Sequence, residues 1–175
     1  MRKFTLIAIG LLLTAPAFGE TVGEKTGVNS VLGISPTTAD FVKEAAQGDM
    51  FEIQSSELAA QRSDDATKAF ANQMIADHQK TSDQLKATVQ SGTVKAAIPA
   101  AMDSSHQKMM EELKSLSGAD FTKKYHDDQV SAHKDAVSLF QRYAKGGENS
   151  ALKQWAGETL PNLQHHLEMA QNLDK

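Results

Sequence analysis

Six histidines and no cysteine bound the chemistry open to this chain of 175 residues. Any metal must be held by imidazole nitrogen and by carboxylate or amide oxygen, and neither a disulfide nor a thiolate nucleophile exists. Where these residues fall matters more than how many there are. The series Leu152, Ala156, Thr159, Leu163, His166, Ala170, Leu173 alternates steps of four and three, so His166 occupies the apolar stripe of a helix and points into a core. Its neighbour His165 shares a face with Glu158, Asn162, Glu168 and Asn172 and belongs to the solvated side. The stripe Phe70, Ala71, Met74, Ile75 is interrupted by Asp77-His78 before Leu85 and Val89 resume it, so at least one of that pair faces inward. The row Phe41, Ala45, Gly48, Glu52, Ser55, Ala59 sets the Glu52 carboxylate among small side chains. The row Tyr125, Gln129, His133, Ala136, Phe140 carries Gln129 and His133 one turn apart.

Two chemistries fit these placements. Imidazole and carboxylate on facing helices can hold one Zn, Mn, Fe or Cu ion, or a small polar ligand. The same groups can instead form a buried hydrogen-bond network that fixes helix register and binds nothing. On the first reading the ligands come from Glu52, Asp77, His78, His133 and His166, with Gln129 supporting them from behind. Asp103 and His106, spaced i, i+3 on a short outer helix, read as a solvated pair. Catalysis needs an activated nucleophile or a paired acid and base, and no Ser, Thr or Lys motif supplies such a context. The expectation is a non-enzymatic binding protein, with metal-bound oxidant chemistry at an open coordination position the one enzymatic route left.

Helices must position these groups. Aromatic content of 6% and four prolines, beside abundant Ala, Leu, Lys, Gln, Glu and Met, favour an all-α domain. Apolar period and punctuation predict long helices over residues 38–61, 65–90, 120–146 and 150–173, and a shorter one over 102–116. The breaks are Ser63-Asp64-Asp65, Ser91-Gly92-Thr93 with Pro99, Gly118, and Gly146-Gly147. Pro161 should kink or loosen the last helix one turn before its histidines. Short connections within the first and last pairs predict an up-down-up-down four-helix bundle, with one extra short helix between the second and third. Counting outward from the turns places His133, His166 and Gln129 at similar heights, and Glu52 near His78.

Ahead of the bundle, Arg2 and Lys3 precede an apolar run over residues 4–14 and the small residues Ala15, Ala17 and Gly19, the pattern of a cleavable signal peptide. The expected division is residues 1–19 leader, with cleavage after Gly19, residues 20–36 a flexible linker without helical period, and residues 37–175 the bundle domain. Export makes the periplasm the expected location, and no integral membrane segment remains after the leader. Losing Arg2 and Lys3 shifts the net charge from -4 to -6, which argues against a nucleic-acid partner because phosphate binding needs a basic face.

DFVKEAAQGDMFEI followed by SSELA, then FANQMIADH, YHDDQVSAHKDAVSLF and LPNLQHHLEMA, occur in that order. With these motifs the chain resembles a bacterial family of exported proteins of unknown function, domain-of-unknown-function family 4142, often labelled outer-membrane proteins. The resemblance covers about residues 40–173. It implies a ferritin-like four-helix fold and recurrent polar positions at Glu52, Asp77, His78, Gln129, His133 and His166. Diiron ferritin-like proteins carry a Glu-x-x-His pair on each of two helices. Here the residues three before His78, His133 and His166 are Ile75, Val130 and Leu163, which argues against ferroxidase or iron storage and for a mononuclear, histidine-rich site. The family label suggests an outer-membrane location, but the chain lacks the alternating strands of a membrane barrel.

Overall fold

Polar side chains at the breaks start the helices. The computed structural model describes residues 21–25 and 27–173; the leader expected over residues 1–19 lies outside them. Two short helices, α1 (Val22–Lys25) and α2 (Val28–Leu32), precede α3 (Thr38–Arg62), α4 (Asp65–Gln90), α5 (Ser104–Ser115), α6 (Gly118–Gly146) and α7 (Ser150–Asn172). Thr37, Asp64, Asp103 and Asn149 each accept a backbone N–H from the first turn that follows them, satisfying donors that a helix end leaves open. The helix expected from Asp120 begins at Gly118, which leaves Asp120 in the first turn, where a negative charge suits the helix dipole. α7 continues through Pro161, whose missing N–H deprives only the Gly157 carbonyl of its usual donor.

The all-α bundle is as expected, but its order of directions is not up-down-up-down. Contacts between α3 and α6 run in opposite senses: Thr38 meets Tyr143, Glu52 meets His133, Ser55 meets Gln129 and Ser56 meets Tyr125. α3 and α4 are antiparallel across their short turn, so α6 runs parallel to α4, as Thr67 with His126 and His78 with His133 also show. Asp77 with His166 and Gln84 with Trp155 make α7 antiparallel to α4. The order is up-down-down-up. Residues 91–117, including α5, climb the outside of the bundle beside α3, where Gln47 donates to the Ala101 carbonyl and Phe51 packs on His106. The Ser91-Gly92 break ends α4, as expected, with Gly92 at φ 81°, but the chain that follows, through Pro99, is long enough to cross the whole bundle.

Two apolar clusters fill the interior. One gathers Phe41, Leu85, Phe140, Tyr143, Leu152 and Leu163; the other gathers Phe51, Phe70, Met74, Phe121, Tyr125 and Ala170. Along α4 the order is Met74, His78, Leu85, and along α7 it is Leu163, His166, Ala170, so a polar layer separates the clusters. Within residues 20–36, expected as a flexible linker, α1 and α2 lie against the bundle. Glu24 pairs with Arg142 of α6, Arg142 donates to the Ile34 carbonyl, and Ser30 bonds Ser138. Such short helices need no apolar period, because a charged pair fastens them.

Gly48 stands in the middle of α3, and a Cβ built there meets nothing within 4 Å. Glycine in a helix interior costs about 0.5 to 1 kcal/mol relative to alanine. Gly48→Ala should therefore raise stability by about that amount, read from the urea midpoint at unchanged slope; an unchanged or lower midpoint would show that the site tolerates no side chain.

Candidate metal centre

His78, His133 and His166 come from α4, α6 and α7, and one ring nitrogen of each lies within 4.8 Å of the other two. All three side chains are buried, at 2%, 0% and 1% exposure. What each ring does with its second nitrogen decides the chemistry. His133 Nδ1 lies 2.9 Å from the Gln129 carbonyl, which can only accept, so Nδ1 carries the proton and Nε2 keeps its lone pair. His78 Nδ1 donates to Asp49 Oδ1 at 2.8 Å, and His166 Nε2 donates to Asp77 Oδ2 at 2.9 Å. The remaining His166 nitrogen, Nδ1, is buried without a hydrogen-bond partner. Each imidazole is thus held from outside by an oxygen acceptor and turns its other nitrogen inward, the arrangement that orients metal-ligating histidines.

The inward nitrogens of His78 and His133 are 3.4 Å apart. Two lone pairs at that distance repel unless a cation sits between them. A tetrahedral ion with nitrogens at about 2.0 to 2.1 Å spaces them about 3.3 to 3.4 Å apart, so this pair already has the separation that such an ion requires. A proton can play the same part, with His78 as an imidazolium donating to His133. Burial opposes charge on His78, but the Asp49 carboxylate outweighs it and raises the His78 pKa. Burial and the nearby His78 lower His133 to about 3 and His166 to about 4, so both are neutral bases near pH 7.

Glu52 from α3 completes the layer. It is 4% exposed, neither carboxyl oxygen has a hydrogen-bond partner, and Oε1 lies 3.6 Å from His133 Nδ1. Burial pushes its pKa up against the pull of His78 and the Gln129 side chain. The Gln129 amide donates to Ser55 Oγ at 3.3 Å, and its own oxygen is unpartnered. Of the residues expected at the site, the three histidines converge and Glu52 stands beside them. Asp77 grips His166 from behind, supported by Gln73 at 2.6 Å, and Gln129 anchors His133 through its backbone. Asp103 and His106, expected as a solvated pair, bond each other half-buried and line a pocket next to the centre.

Asp49 was not legible from the single stripe that exposed Glu52. It is 5% exposed, holds His78, and accepts from Ser82 Oγ at 3.1 Å. A signal for it existed: Val42, Asp49, Ser56 and Ser63 repeat every seven residues, and all four are buried. Asp49 and His78 also stand equally far in sequence from Ser63-Asp64.

The chain belongs to the family described as a domain of unknown function, DUF4142. Its model matches residues 23–173, which takes in the short helices as well as the bundle and every residue of the polar layer. Comparison with curated proteins and with solved structures found no match. Among the described residues, no helix is long and apolar enough to cross a membrane.

His166 has a pKa depressed in the folded chain, so its protonation favours unfolding, and the loss begins as pH falls through the ordinary histidine value near 6.5 and ends near the folded value of about 4. His166→Leu restores an apolar stripe and removes that proton. In metal-free protein the variant should gain on the wild type by about 1 kcal/mol per pH unit across this window, measured by urea unfolding at a series of pH values. A difference that does not change with pH would contradict it.

Proposed function

We propose that this protein is an exported, periplasmic, non-enzymatic binding protein whose polar layer holds one first-row transition-metal ion. The observation that carries the reading is the convergence of three inward lone pairs, each fixed by an acceptor on the far side of its ring. Imidazole suits Zn, Cu, Fe and Mn, and Glu52, whose Oε1 lies 3.6 Å from the outward Nδ1 of His133, would turn inward to serve as an oxygen donor. Three histidines, with that carboxylate or a water in the fourth position, make a mononuclear set. The single long crossover supports the ferritin-like reading of the bundle, without the paired Glu-x-x-His motifs of diiron members. The leader pattern of residues 1–19 supports export.

The test is thermal melting, with and without Zn, Mn, Fe and Cu, of untagged protein recovered from the periplasm, whose intact mass should begin at Glu20. At a hundredfold excess over the dissociation constant a bound ion adds about 2.7 kcal/mol, or roughly 5 to 10 °C for a domain of this size. His166→Leu and His78→Ala should abolish the shift. A wild type that ignores every metal, beside an unharmed His166→Leu, would instead favour a hydrogen-bond network closed by the His78 proton.

A further inference from the structure

A pocket of about 540 Å³ opens beside the centre, between α3, α5 and α6, and both Glu52 and His78 line it. Those two side chains are buried, at 4% and 2% exposure, whereas Asp135 on the same pocket is exposed, so the cavity leads from solvent to the polar layer. Its walls carry Glu44, Asp103 and Asp135, and among the described residues lining it the one arginine, Arg142, is already paired with Glu24. The interior potential is therefore negative, and such a cleft raises the local concentration of cations. At its buried end waits the Glu52 carboxyl, neither oxygen of which has a partner. The wall is kept low by Gly48, Ala132 and Ala136. At Gly48 a helix-interior glycine leaves open space where any larger side chain would project into the passage.

We propose that this pocket is the entry portal of the metal centre: a hydrated divalent cation is drawn in past Asp103 and Asp135, met by Glu52, and passed to the three histidines. This rests on the metal reading above. It assigns Asp103, Asp135 and Gly48 to the rate of loading, and none of them to the bound state.

The experiment follows uptake of Co(II) alone by the mature protein, using the visible absorption of the bound ion in stopped flow over a range of salt concentrations. Gly48→Leu should slow uptake by about tenfold or more while reaching the wild-type spectrum. Asp103→Asn combined with Asp135→Asn, which keeps a competent N-cap on α5, should slow uptake by about threefold or more at low salt and flatten its dependence on salt. The pair of asparagines tests the portal even if the leucine variant does not fold. A wild type that loads, beside variants that load at its rate and with its salt dependence, overturns the portal and leaves the metal centre standing. A wild type that binds no Co(II) overturns both.

Discussion

A buried polar layer in an otherwise apolar bundle is the constraint on which this structure turns. Unpartnered polar groups in a low-dielectric interior cost free energy, about 1 to 3 kcal/mol each. Here the interior nitrogen of His166, both oxygens of Glu52 and the amide oxygen of Gln129 all lack partners. The outward nitrogens of His78, His133 and His166 are well served, by Asp49, the Gln129 carbonyl and Asp77 in turn. On the proposed reading, a cation at the centre would answer the inward lone pairs of the three rings together.

The topology makes that layer possible. Four helices each contribute one polar side chain at a common height, and the apolar clusters above and below hold that height fixed: Phe41 stacks on Tyr143 on one side, and Phe70 meets Tyr125 edge-on on the other. Because the crossover carries α5 up the outside of α3, His106 and Asp103 arrive next to Glu52 rather than at a distant loop. The same crossover makes α6 parallel to α4, which sets His133 opposite His78.

Much of this was legible in the sequence, for identifiable reasons. His166 stood out because a heptad of small and aliphatic residues surrounds it, and Asp77-His78 because they interrupt a clean stripe. Helix extents followed from caps whose side chains bond the next turn, as at Asp64 and Asn149. Direction did not follow, since helical period is blind to whether a long connection folds back or crosses over. Nor did the docking of α1 and α2, which depends on Glu24 finding Arg142, 118 residues away. Asp49 was hidden because a helix touching two neighbours buries two stripes, and a reading that follows one overlooks the other. Asp77 was visible as an inward polar residue, but its role behind His166 depends on a contact across 89 residues.

The most direct test of the account is the protonation of the ring nitrogens, read by long-range proton–nitrogen NMR of histidine side chains near pH 7. The account predicts His133 as the Nδ1–H tautomer and His166 as the Nε2–H tautomer. With one equivalent of Zn it predicts that the signals of His78 Nε2, His133 Nε2 and His166 Nδ1 move to metal-bound positions, while the outward nitrogens keep their protons. A His133 protonated at Nε2, or inward nitrogens that do not respond to the metal, would contradict it.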